Sequence, residues 1–315
     1  MKNKVAIVGC GFVGMSYAFS LLNTYNKLDE LVLIDINKEK VEGNLLDISQ
    51  AAINCNSSVK IINGNYSDCS DASIVCITAG TSQSEIKESR TESFKTNDNI
   101  MKSIVTEVKN SGFSGIYLIA SNPLDVMCYS AWQYAKTSPN KILGSGTFLE
   151  TARLKYFLSK KLNIPAKNIT GYVFGEHGDS QFVVWSSVKI FDEKTHEYNS
   201  IDIYLNETEK EEIENLVKHA GYEILKRTGA THYGVSNCLT KLTTCILSGE
   251  ESYFPVSNYD KEKHIYISSL ARVGRDGIVS SLPIPLTPKE KDMYNKSAEY
   301  IKSFIDQLDF SDTTK

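Results

Sequence analysis

His177 lies in the run Gly175-Glu176-His177-Gly178-Asp179, between glycines and carboxylates. An imidazole titrates near neutral pH, so it can give and take a proton within one reaction cycle. Glycines on both sides would let a substrate approach the ring. The apolar run Thr170 to Phe174 ahead of it reads as a strand that would hold it in place. His196, His219, His232 and His264 have no comparable setting, and their context assigns them no role.

A second group of residues is suited to phosphate. Gly9-Cys10-Gly11-Phe12-Val13-Gly14 follows the apolar run Val5 to Val8 and opens an amphipathic segment from Val13 to Leu22. Gly9 permits a tight turn, Gly11 lets a pyrophosphate reach the backbone, and Gly14 lets helix and strand pack closely. The helix that opens at Phe12 and Val13 presents free N–H groups and a positive dipole end to the phosphates. Asp35 ends the next apolar run about 20 residues later, the spacing at which an acid receives the adenosine ribose hydroxyls. Its charge would repel the 2′-phosphate of NADP, so NAD is the expected cofactor.

These residues need a frame. Val5–Val8, Leu31–Ile34, Ser73–Thr78 and Ile116–Ala120 are short apolar runs separated by helix-like segments near 13–25, 38–52 and 91–110. That alternation predicts a parallel sheet covered on both faces. The expected class is α/β, with a Rossmann doubly wound parallel sheet over residues 1–144 and a mixed α/β substrate domain over 145–315. In the second half, helices are expected over 207–227, 235–247 and 288–307, and strands at Tyr253–Val256 and His264–Ile267. Substrate would bind in the cleft beyond the carboxyl ends of the parallel strands.

Composition narrows the function classes. A net charge of -4 gives no reason to expect nucleic acid or an anionic membrane as partner. No apolar run approaches the ~20 residues of a membrane span. The N-terminus runs into a strand without a signal-peptide pattern, so a cytoplasmic location is expected. Seven scattered cysteines with no Cys-x-x-Cys pair suit reduced thiols, and no metal site is expected.

Gly175 to Ser180 resembles the catalytic-histidine segment of the L-lactate/malate dehydrogenase family, most like its bacterial L-lactate dehydrogenases. The similarity runs along nearly the whole chain. Thr78-Ala79-Gly80 resembles the family's segment below the nicotinamide, and Ser121-Asn122-Pro123 its substrate- and cofactor-contacting turn. Gly144 to Arg153 resembles the helix carrying its substrate arginine, and Gly229 to Gly234 the wall of its substrate pocket. The resemblance implies NAD-dependent interconversion of L-lactate and pyruvate. It implies His177 as proton donor and acceptor, Glu150 as the carboxylate behind it, and Arg153 as a bidentate clamp on the substrate carboxylate. Arg90 would polarise the carbonyl from a mobile loop, Asn122 would bond the reacting oxygen, and Gln83 and Thr231 would shape the pocket. Ala79, Gly80 and Asn122 would contact the cofactor. A homotetramer or a homodimer is implied.

Three positions depart from the family pattern. Glu150 stands where the family usually has Asp, so an extra methylene must be absorbed. The loop Gln83 to Arg90 is one residue longer than the common form and lacks its usual Gly or Pro. Gln83 is neutral where malate dehydrogenases place an arginine, and Thr231 matches a small lactate-type pocket, so a substrate with one carboxylate is favoured. The altered loop leaves open larger 2-keto acids such as 2-ketoisocaproate, with malate dehydrogenase and a non-catalytic NAD-binding protein as further alternatives. The basic cluster that binds fructose 1,6-bisphosphate in many bacterial members matches Lys155 and Thr170 here. Thr170 brings no positive charge, so little or no activation is expected.

Overall fold

The computed structural model describes residues 2–55, 58–81 and 90–311, with the backbone alone at residues 90–93. The first half runs β1 (Lys4–Val8), α1 (Phe12–Thr24), β2 (Glu30–Ile34), α2 (Lys38–Asn54), β3 (Lys60–Asn63), β4 (Ile74–Ile77), α3 (Arg90–Asn110), β5 (Ile116–Ile119), α4 (Leu124–Ala135) and β6 (Ile142–Gly144). The second half runs α5 (Phe148–Leu162), β7 (Ile169–Phe174), β8 (Phe182–Asp192), β9 (Glu197–Ser200), α6 (Glu207–Thr228), α7 (Tyr233–Ser248), β10 (Ser252–Asp260), β11 (Ile265–Gly274), β12 (Gly277–Ser281) and α8 (Pro288–Ile305).

Six parallel strands lie in the order β3-β2-β1-β4-β5-β6. This is the doubly wound order, which reverses between β1 and β4 and opens a crevice at their carboxyl ends. β1, β2, β4 and β5 are buried at every residue, which is why each reads as a continuous apolar run rather than an alternating one. β3 is only partly buried, and its polar ends hide it in the sequence.

The second half extends this sheet. β10 pairs antiparallel with β6 at Ser257 and Gly144, and β11 and β12 follow as antiparallel neighbours. An unpaired β6 would leave a row of free N–H and C=O groups, and β10 supplies partners for them. One sheet face packs Met101, Val105, Met127 and Ile301 from α3, α4 and α8. The other packs Tyr17, Leu21, Ile48 and Leu239 from α1, α2 and α7. A separate core joins α5, α6, β7 and β8 through Leu154, Val217, Val173 and Val188, beside the small sheet β7-β8-β9.

Helix ends follow their sequence signals. Asn206 with Glu209, and Thr287 with Glu290, form capping boxes that open α6 and α8. Gly229 closes α6 with a left-handed φ of 76°. α7 starts at Tyr233, two residues ahead of the expected 235.

The glycines of the first turn differ in what they tolerate. A Cβ on Gly14 would lie 2.1 Å from the Gly9 carbonyl oxygen, whereas one on Gly11 meets nothing within 4 Å. Gly14→Ala is therefore expected to lower stability by about 1–3 kcal/mol, read as a lower urea midpoint. Gly11→Ala should unfold like the parent but bind NADH more weakly, because its Cβ would enter the space left for phosphate. Equal stability of the two variants would contradict this assignment.

Candidate active site

The turn after β1 is held by its neighbours. Gly9 adopts φ 103°, and a Cβ there would lie 2.5 Å from the Ala79 amide nitrogen, so the two segments touch through backbone alone. Thr78 donates its hydroxyl to the Gly9 carbonyl at 2.6 Å, and Asn44 donates to the Cys10 carbonyl at 3.1 Å. Asp35 accepts the Cys10 amide at 2.7 Å and the Asn37 amide at 3.0 Å. Asn37, rather than Asp35, caps α2 through the Lys40 amide. Asp35 thus stays beside the glycine turn with lone pairs free for hydroxyl donors. Phe12 is 72 % exposed, and the Val13 carbonyl accepts from Ser236 at 3.2 Å. Gly9 and Thr78–Ala79, which follow the neighbouring strands β1 and β4, meet there, with Gly80 exposed beside Ala79.

A second cluster gathers around Glu150 on α5. The Glu150 Oε2 is 3.2 Å from His177 Nδ1, and its Oε1 accepts from Arg153 Nη1 at 2.8 Å. One carboxylate, only 2 % exposed, therefore holds both cationic side chains. Glu150 sits in the first turn of α5 and Arg153 one turn on, so helix spacing sets the pair and the helix dipole favours the negative charge. The 3.2 Å contact is longer than a charged hydrogen bond usually is. Gly221 on α6 faces Arg153: a Cβ there would come to 3.4 Å from its Nη2.

The His177 loop is fixed through its backbone. Gly175 exchanges two backbone bonds with Ser268, each 3.1 Å. Ser297 accepts the Glu176 amide at 2.7 Å, and Glu176 in turn accepts the Ser180 hydroxyl at 2.6 Å. Asp125 Oδ2 accepts the His177 amide at 2.8 Å, while its Oδ1 accepts the Ser257 hydroxyl at 2.6 Å.

The charges respond to this packing. Burial pushes the His177 imidazole down, but the Glu150 carboxylate, helped by Asp125, more than reverses it and raises His177 to about 8. Burial pushes Glu150 up, yet His177 and Arg153 overcome that and hold it below the usual carboxylate range. Burial takes Asp125 to about 7, against the opposing pull of the Ser257 hydroxyl and the His177 amide.

The remaining predicted residues are distributed as follows. Asn122 is exposed at the carboxyl end of β5, its carbonyl accepting from Asn97. Thr231 is half-buried in the α6–α7 turn. Arg90 opens α3, but its side chain and all of Gln83 lie outside the described residues. Among the described residues no cluster of three or more His, Cys, Asp or Glu could hold a metal, and no helix is long and apolar enough to cross a membrane.

Three residues escaped the sequence reading. Asp125 is a lone acid within the apolar run Leu124-Asp125-Val126-Met127, and that was its available signal. Asn97 accepts the Thr81 amide at 2.9 Å and donates to the Asn122 carbonyl at 2.9 Å, joining two cofactor-side segments. His232, to which its sequence context assigns no role, stacks on Phe12 of the glycine turn.

A doubly wound dinucleotide fold together with a His and an Arg held on one buried carboxylate is the make-up of a nicotinamide-dependent dehydrogenase. Comparison with known proteins agrees. Residues 3–144 match the family model for the lactate/malate dehydrogenase NAD binding domain, and residues 147–310 that for the lactate/malate dehydrogenase alpha/beta C-terminal domain. The chain belongs to the lactate/malate dehydrogenase family. It is 38% identical to the L-lactate dehydrogenase of Borrelia hermsii, over 98% of this chain and 99% of that one. It is 39% identical to the L-lactate dehydrogenase of Bacillus pumilus, over 96% and 97% of the two chains. The minor L-lactate dehydrogenase of Enterococcus mundtii, solved in its ligands-bound form, superposes with a TM-score of 0.92 at 36% identity, covering 98% of this chain and 99% of that one.

If protonated His177 donates to a substrate carbonyl, reduction should fall as pH rises through about 8, where His177 loses its proton. The reverse oxidation should rise over the same range. Glu150→Gln removes the charge that raises His177, so the reductive limb should move to lower pH and kcat/KM should drop roughly a hundredfold or more. An unmoved pH profile with near-parental kcat/KM would show that Glu150 does not hold the imidazole.

Proposed function

We propose that this protein is an NAD-dependent L-lactate dehydrogenase, catalysing (S)-lactate + NAD+ = pyruvate + NADH + H+. The observation that carries the reading is the Glu150 carboxylate bridging His177 and Arg153. The family's NAD-binding domain, matched over residues 3–144, supports the cofactor. Gly9, Gly11, Phe12, Val13 and Gly14 would receive its pyrophosphate, Asp35 its ribose hydroxyls, and Ala79, Gly80 and Asn122 its nicotinamide end.

Bound NADH supplies the hydride. The protein's residues do the rest. Arg153 pairs the pyruvate carboxylate and fixes the ketone relative to His177; its planar fork suits two parallel bonds. His177 Nε2 donates its proton to the developing alkoxide, and Glu150 keeps Nδ1 protonated and stabilises the imidazolium. Asn122 bonds the reacting oxygen. Arg90 adds positive charge at that oxygen. In the oxidative direction neutral His177 takes the hydroxyl proton.

Substrate choice follows from charge. Arg153 is the cation assigned to a substrate carboxylate, which matches the single carboxylate of pyruvate. Neutral Gln83 offers no partner to the second carboxylate of oxaloacetate, and an unpaired buried charge is costly. Thr231 limits the side-chain space. We further propose that residues 1–144 and 145–315 are the cofactor and substrate domains, and that the enzyme is cytoplasmic. A homotetramer or homodimer is proposed as well; exposed Phe19, Leu46, Ile53 and Tyr233 on α1, α2 and α7 are apolar surface a second copy would cover.

The test is an NADH-oxidation assay comparing pyruvate, oxaloacetate and 2-ketoisocaproate by kcat/KM. Pyruvate should lead. Oxaloacetate ahead by more than tenfold would replace the proposal with a malate dehydrogenase, and 2-ketoisocaproate ahead would widen the pocket assigned to Thr231.

A further inference from the structure

His232 follows Thr231 directly, at the start of α7. Its Nδ1 lies 2.7 Å from the Ser16 hydroxyl on α1, and its ring stacks on Phe12 with centroids 5.6 Å apart and planes 25° from parallel. The Tyr233 ring also lies against it, tilted by 49° with centroids 4.0 Å apart. The bond to Ser16 can form with either neutral tautomer, because a hydroxyl both donates and accepts. The stack lies in the range where aromatic pairs attract. Two residues on, a Cβ on Gly234 would lie 2.6 Å from Leu149 Cδ1, so the same turn sits flush against the first turn of α5, next to Glu150.

The turn is thus clamped on two sides. One side is the glycine turn that would hold the pyrophosphate; the other is the helix that carries Glu150 and Arg153. Further along, Ser236 bonds the Val13 carbonyl at 3.2 Å and Tyr17 bonds Thr243 at 2.6 Å, continuing the α1–α7 seam. Only the His232 contact lies one peptide bond from Thr231 and also touches the glycine turn.

We propose that His232 is a positioning residue that ties the Thr231 wall of the substrate pocket to the glycine-rich cofactor turn, so that the two are set as one unit. This rests on the lactate dehydrogenase reading, in which Thr231 lines the pocket. Displacing the clip loosens Thr231 and the Phe12 turn together. Cofactor affinity and discrimination between small and bulky 2-keto acids are therefore coupled through this one ring.

Three variants separate the contacts. Ser16→Ala removes the hydrogen bond, His232→Phe removes it but keeps a ring on Phe12, and the double variant combines them. NADH affinity is read by fluorescence titration without substrate; KM, kcat and the kcat/KM ratio of 2-ketoisocaproate to pyruvate are read with it. Each single variant should weaken NADH binding and raise the pyruvate KM by roughly two- to tenfold, the worth of one hydrogen bond, and shift the ratio toward 2-ketoisocaproate. kcat at saturation should change less. The double variant should be no worse than either single one, because both remove the same bond. His232→Asn, which can still bond Ser16, should recover part of the loss. The proposal is overturned if NADH affinity and pyruvate KM move independently, if the two losses add, or if Tm and kcat fall while KM and the ratio stay put, as a purely structural role requires. Failure of the functional reading looks different: the parent enzyme would oxidise no NADH with any of the three keto acids.

Discussion

A buried carboxylate is stable only where its charge is answered, and Glu150 is answered twice. With one oxygen toward His177 and the other toward Arg153, it avoids the several-kcal/mol penalty of an unpaired interior ion. It also fixes the distance between His177 and Arg153, the proposed proton donor and carboxylate clamp. Both cations rest on one side chain, in the first turn of α5, where the helix dipole favours its charge. The placement of α5 against β7 and α6 then sets the geometry of the whole cluster.

The additional methylene of Glu150 is accommodated by this shared use. A longer side chain reaches between two partners on opposite sides, and the Oε2–Nδ1 contact of 3.2 Å is the looser of its two bonds. That looseness is bounded elsewhere. The His177 amide is anchored to Asp125, and the loop on either side is tied to Ser268 and Ser297. The imidazole is positioned from its backbone as well as from its ring, so a slightly slack carboxylate need not mean a slack histidine. Reactive geometry is sensitive at about the 1 Å level, and two independent anchors are a physical answer to that demand.

What the sequence displayed was local. The apolar runs of β1, β2, β4 and β5, the glycine turn and the Gly-flanked His177 each announce themselves within a dozen residues, because burial on both faces and phosphate approach dictate residue type directly. Glu150 and Arg153 were legible through the family resemblance, in separate roles; the bond between them, one helical turn apart, was not read from the sequence. Asp125 and His232 were not. Their partners are 52 and 216 residues away in the chain, and nothing in a run of neighbours records a contact made across the fold. β3 and β9 were hidden for another reason: at the sheet margins, exposed on part of their surface, they carry polar residues that break the strand pattern. The joining of β10 to the edge of β6 was likewise invisible, since it depends on which edge is left unpaired, a property of topology rather than of composition.

The continuous sheet has a consequence for the site. Because β10–β12 extend the cofactor sheet and α7 and α8 cover its two faces, the substrate-side residues are not carried on a body hinged from the first half. α7 lies along α1, the helix that begins at the glycine turn, and three side-chain bonds cross that seam. Packed helices sharing a core have little freedom to slide. The glycine turn, proposed to cradle the phosphates, and the turn at Thr231, proposed as a pocket wall, are therefore held together. Surfaces fixed to the sheet and its helices in this way can hold a small anion at the accuracy of about 1 Å that reactive geometry demands.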